Sequence, residues 1–152
     1  MKRSPYDQQV LDRMAPGALC AEGFLGHDPR DLSDIIAADD AAVAAAGLIH
    51  TQIAAKLAEW MLIAITELGR AVELTDNVTG VWREGMGRIP SPWPGEGVFP
   101  KGELQLTDRR TGRAMLVTQL SVHLIGTHGF YQGRGSPYRI EPAELIPLLE
   151  LA

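Results

Sequence analysis

Between Thr51 and Gly69 the chain reads TQIAAKLAEWMLIAITELG, and this run limits the possible architecture more than any other. Ile53, Leu57, Trp60, Met61 and Ala64 recur at three- and four-residue spacing, which places them on one helical face. Leu62, Ile63 and Ile65 carry the apolar surface beyond that face. Such a helix is either central to the fold or packed against a second copy of itself. Thr51 supplies a capping oxygen and Gly69 a stop. A homo-oligomer, a dimer through residues 51–69, is the expectation.

The segments before this helix are also helical. Ser4-Pro5 opens a short helix that runs to Met14 and is stopped by Pro16-Gly17. Residues 17–30 read as an irregular loop in which Phe24 and Leu25 anchor to the core. Asp31 to Ala46 is helix-forming, with Asp39 or Asp40 placed to cap a second piece and Gly47 ending it. The resulting helix–Gly–helix invites a DNA-reading interpretation, but Lys56 is the sole basic residue between Thr51 and Gly69. DNA binding is therefore not expected.

After Gly69 the apolar period changes to two. Residues 71–75 and 78–84 read as strands around an Asp76-Asn77 turn. Residues 85–102, GMGRIPSPWPGEGVFPKG, hold five glycines and four prolines. Prolines at 90, 92, 94 and 100 argue against ladder pairing, while Trp93 and Phe99 argue for an ordered loop. Residues 103–107 and 113–117 form a hairpin around Asp108 to Gly112. A short helix, Gln119 to Thr127 or His128, follows it, capped by Thr118 or the residue before it and stopped by Gly129. Glu141-Pro142 starts a last helix, interrupted by Pro147.

The fold class is α+β: a helical N-terminal half packed on a small antiparallel sheet, with a β-hairpin–helix unit and a short C-terminal helix. The whole chain, 1–152, reads as one domain, 1–70 mainly helical and 71–152 hairpins plus short helices. Its net charge of −5 is concentrated in the front half, which argues against a broad phosphate-binding surface there. With Cys20 as the one cysteine, neither an internal disulfide nor a thiolate zinc cage can form within the chain. Cys20 reads best as a small buried hydrophobe. The opening residues lack the apolar core of a secretory signal, and no run is long enough for a membrane span, so a cytoplasmic protein is expected.

Chemistry-bearing residues concentrate in Thr118 to Ile140, TQLSVHLIGTHGFYQGRGSPYRI. His123 and His128 on the short helix are the candidates for catalysis or for a metal, zinc by ligand type. Positions five apart on a regular helix diverge by about 140°. A shared metal would also need an outside ligand, for which His27, His50 and Asp28 are candidates. The plainer reading makes both histidines structural, His128 stabilised by the C-terminal helix dipole. In GFYQGRGSPYR, glycines 133 and 135 around Arg134 suggest an anion-binding nest, with Tyr131, Arg134, Ser136 and Arg139 as ligand-binding residues. A small anionic or nucleotide-like ligand would fit it. The competing reading is a glycine-rich crossing sealed by aromatics.

The block from Leu120 to Arg139, with GVFPKG (97–102) ahead of the hairpin and SPYD near the start, resembles a family of small bacterial cytosolic proteins of unassigned function. The resemblance implies a bacterial cytosolic origin and carries over no activity and no catalytic residue. The leading functional expectation is a binding or interaction protein with a Gly-Arg-aromatic surface at 130–139. The alternative is a small hydrolase-like or metal-dependent enzyme using His123 and His128.

Overall fold

The computed structural model describes residues 3–151. Three helices come first: α1 (Pro5–Met14), α2 (Leu32–Ala45) and α3 (His50–Thr66). Ser4 caps α1 by accepting the Asp7 N–H, as its sequence suggests. Asp39 caps nothing. The helix α2 is continuous through it, and the carboxylate is buried against Arg139. Thr51 is likewise inside α3, because the helix starts one residue earlier. There the Gln52 side chain accepts the N–H of Ile49 and takes over the capping.

Four strands, β1 (Val72–Thr75), β2 (Val78–Arg83), β5 (Glu103–Asp108) and β6 (Ala114–Thr118), make an antiparallel sheet in the order β1-β2-β5-β6. Trp82 pairs with Leu104 and Leu104 with Val117, so these three large side chains share the face that packs toward α3. A separate two-stranded ribbon, β3 (Arg88–Pro90) and β4 (Val98–Pro100), lies in the Gly/Pro segment where pairing was not expected. Antiparallel alternation explains it. Lys101 N–H donates to Gly87 and Ser91 N–H to Gly97, so Pro90 and Pro100 occupy the intervening positions, where an N–H would point away from the partner strand. The prolines remove donors that the ribbon does not use.

Two further helices, α4 (Gln119–His128) and α5 (Pro142–Leu149), complete the described residues. Ile53, Leu57, Trp60 and Ala64 of α3 are buried with Leu104, Val117, Ile125 and Leu148 in the larger core. A second core joins Val10, Met14, Phe24, Ile35, Trp93, Leu120, Leu124 and Phe130. The helix α4 therefore separates the two, with Ile125 facing one and Leu120 and Leu124 the other. Leu62 and Ile63 remain exposed on α3. No helix among the described residues is long and apolar enough to cross a membrane.

Candidate metal centre

The site is assembled from one rigid helix and one pinned loop. Thr118 Oγ1 accepts the Ser121 N–H at 3.0 Å, and Ser121 Oγ accepts the Thr118 N–H at 3.1 Å, a reciprocal cap on α4. Gly129, at φ 61°, ends the helix in the left-handed conformation. Between these stops stand His123 and, as the last helical residue, His128. Thr118→Ala is expected to cost about 1 kcal/mol, read as a lowered urea midpoint. An unchanged midpoint would show that the cap does not hold α4.

The loop is residues 91–97, at the tip of the β3–β4 ribbon. Ser91 closes its base through Gly97, accepts the Trp93 N–H on Oγ at 3.1 Å, and donates from Oγ to Glu96 Oε1 at 3.2 Å. Arg13 of α1 reaches across to donate to the carbonyls of Ser91 and Pro92, at 2.6 and 3.0 Å. Trp93 stacks on His128 with ring centroids 3.7 Å apart and planes 9° from parallel, and Phe99 leans on His123 at 4.9 Å. The aromatics expected to order this segment do so by packing on the two histidines.

Glu96 consequently lies between both imidazoles. His123 Nε2 is 2.7 Å from Glu96 Oε1, and His128 Nε2 is 2.9 and 2.8 Å from Oε1 and Oε2. The divergence expected from a five-residue spacing is overcome because both side chains turn their far nitrogens onto one carboxylate. Ligand atoms of the three residues all lie within 4.8 Å of one another, the one such group found among the described residues. Their side chains are 22%, 19% and 22% exposed, so the cluster opens to solvent. Partial burial pushes the Glu96 carboxyl up. Hydrogen bonds from both histidines, the charge of His128 and the Ser91 hydroxyl outweigh it and hold the group below its usual range.

Two imidazoles and a carboxylate, with room left for water, are the ligand set of a catalytic zinc site. A tetrahedral ion with bonds of about 2.0–2.1 Å would set its ligand atoms about 3.3 Å apart. The histidine–carboxylate contacts would open by about half an ångström to admit it. The histidines would then carry their protons on Nδ1, and His123 Nδ1 already faces Thr127 Oγ1 at 3.5 Å.

No family model, curated protein or solved structure matches this chain. The reading rests on its own geometry.

The outside ligands considered from sequence lie elsewhere. His50 bonds Tyr131 Oη through Nδ1 and Asp40 through Nε2, both at 3.0 Å. Asp28 accepts from the Arg30 guanidinium and from the Arg134 N–H. His27 packs against Gly135. Glu96 was missed, although it is the sole acidic residue between Gly85 and Gly102. An isolated acid inside a segment ordered by two aromatics was the available signal.

In the 130–139 segment the side chains mostly face inward. Tyr131 is 1% exposed, and burial pushes its phenol well above the usual range. Ser136 donates to Gln132 Oε1, and Arg139 pairs with Asp39 and Glu141. The Gly133 N–H donates to Phe24, and a Cβ at Gly133 would overlap the Leu25 carbonyl, so this stretch is a backbone-to-backbone crossing. The expected nest already holds an anion of the chain itself, since the Arg134 N–H meets the Asp28 carboxylate. Arg134 is exposed.

Hydrogen bonding from the Arg30 side chain, with further help from the Arg134 and Arg30 N–H groups, outweighs the effect of burial and holds Asp28 well below the usual carboxylate range. A depressed folded-state pKa stabilises the protein fully at neutral pH. That stabilisation is lost as pH falls below the ordinary aspartate value of 3.8. Asp28→Asn should therefore be less stable at pH 7 and lose less stability than wild type on acidification below that value. Parallel acid curves for the two proteins would remove this role.

Proposed function

We propose that Glu96, His123 and His128 bind a divalent transition metal, zinc by ligand chemistry, and that the protein is a small metal-dependent hydrolase. The observation that carries the reading is the convergence of both Nε2 atoms on one partly exposed carboxylate. Three protein ligands leave a coordination position for water, whose pKa a zinc ion lowers to about 7. Glu96 would serve as a ligand and would not be free as a base, and a bound zinc would supply the Lewis acidity that activates water.

The loop geometry gives Arg13 a positioning role. It holds the backbone beside Glu96 without touching the cluster. Arg13→Ala is expected to weaken zinc binding about tenfold while leaving the stoichiometry at one. Calorimetric titration of chelator-stripped protein reads this directly. Undiminished affinity would show that the loop holds itself.

An anion-binding surface at 130–139 retains Arg134 as its outward side chain, and Arg134→Ala would weaken it. A dimer through α3 is favoured by exposed Leu62, Ile63 and nearby Leu68. Sedimentation equilibrium returning a monomer at micromolar protein would remove it. A cytoplasmic, bacterial setting rests on the sequence resemblance.

A further inference from the structure

A cavity of about 170 Å³ lies beneath the ribbon, away from the metal centre. Phe24, Ile89, Pro100 and Leu120 give it apolar walls, and none of Glu96, His123 and His128 lines it. Gln132 lines it too, and is unusual in two respects. It is a non-glycine residue held at φ 69°, a conformation that an L side chain adopts at a cost. Its side chain is also buried, at 4% exposure, with only one end of the amide engaged.

The orientation of that amide follows from Ser136. Ser136 Oγ lies 3.4 Å from the Tyr138 N–H, which it accepts, and gives its own proton to Gln132 Oε1 at 2.6 Å. Gln132 Nε2 is then the end left over: it makes no side-chain hydrogen bond within the described residues and is not sealed from solvent. A donor without a protein partner, carried on a strained backbone, is free to serve a ligand. Both features sit at the wall of a mainly apolar cavity.

We propose that this cavity binds a neutral, planar, benzene-sized group bearing one acceptor oxygen, a carbonyl recognised by Gln132 Nε2. Its size is close to that of an apolar cavity of about 150 Å³ known to hold benzene. The neutral charge follows from the surroundings. Tyr138, also a wall residue, donates to Glu103 Oε2 at 2.9 Å, with Glu22 close by, and Lys101 is the one cation lining the space. Burial and the Glu103 carboxylate, with Glu22 behind them, push the Tyr138 phenol up to about 12, in keeping with a field that opposes anions. This site uses different residues from the metal centre and stands without it.

The test is an NMR titration of the full-length, chelator-treated protein with acetophenone as probe, alongside toluene and benzoate. Saturable acetophenone binding that shifts the Gln132 side-chain amide is expected, with toluene about tenfold weaker, a factor equal to one hydrogen bond, and benzoate weaker through its charge. Gln132→Glu removes the amide donor at constant shape and should weaken acetophenone about tenfold. Ile89→Trp fills the cavity from the half-buried ribbon and should abolish binding of both aromatic probes. It keeps the test intact should Gln132→Glu not fold. No saturable acetophenone binding, equal affinities for acetophenone and toluene in the wild type, or undiminished binding to Ile89→Trp would each overturn the proposal.

Discussion

His128→Ala, and separately His123→Ala, should lose zinc binding by a factor of about 100 or more while the protein stays folded. Each imidazole is one of three ligands, and an ion left with two protein ligands loses most of its protein-derived affinity. The fold should survive because the larger core, under α3 and the sheet, does not include either ring. His128→Ala also removes the stacking partner of Trp93, so a modest fall in the unfolding midpoint is expected with it. Glu96→Gln is the cleaner comparison. It keeps the shape and the Ser91 contact but removes the negative charge, and should weaken zinc as strongly as either histidine change. Calorimetry that shows one zinc per chain in the wild type and unchanged affinity in all three variants would place the metal elsewhere. The histidines would then be structural, as their positions in the helix first suggest.

Arg139→Ala should be the most damaging single change to stability that involves no core hydrophobe. Arg139 and Asp39 are 9% and 5% exposed and meet through two nitrogens at 2.5 and 2.9 Å, joining the C-terminal segment to α2. Arg139 also holds the Gln132 carbonyl at 2.8 Å and the Glu141 carboxylate at 3.0 Å. Desolvating such a pair offsets much of its attraction, so the pair itself stabilises little relative to a packed apolar substitute. Removing one member is different, since it strands a buried charge and costs about 3–5 kcal/mol. The matched test is the double replacement Asp39→Leu with Arg139→Met, which leaves no orphan charge and should recover much of the loss in urea unfolding. An Arg139→Ala midpoint within error of wild type would mean that Asp39 is solvated or protonated without cost.

Local rules read the chain well wherever neighbours in sequence decide the outcome. The β5–β6 hairpin, the Thr118 cap, the Gly129 stop and the buried face of α3 all follow from period, capping and turn chemistry within a few residues. The ribbon was harder. Proline content alone counted against pairing, and only the alternation of bonded and non-bonded positions shows Pro90 and Pro100 to be harmless there. Long-range polar pairs were out of reach for a different reason. Asp39 meets Arg139, 100 positions away in the chain, and a single sequence offers no signal linking them. Asp39 was accordingly read as a local cap.

The candidate site was half legible. Both histidines stood out by type and spacing, and the proposal of a zinc site starts from them. Their partner did not, because Glu96 reaches them through a tertiary contact made by the ribbon tip. Its proximity depends on Arg13, Ser91 and the two aromatics acting together. The glycine–arginine stretch also turns on a tertiary contact. Gly133 and Gly135 do serve backbone geometry, but the anion they suggest is supplied by Asp28 from the same chain.

The central claim is tested most directly by a crystal structure of the zinc-loaded protein with anomalous data collected at the zinc edge. The account predicts one strong peak about 2.0–2.2 Å from His123 Nε2, His128 Nε2 and a Glu96 oxygen, with a water completing the coordination. No peak at that position after loading, with the three side chains still hydrogen-bonded to one another, would contradict it.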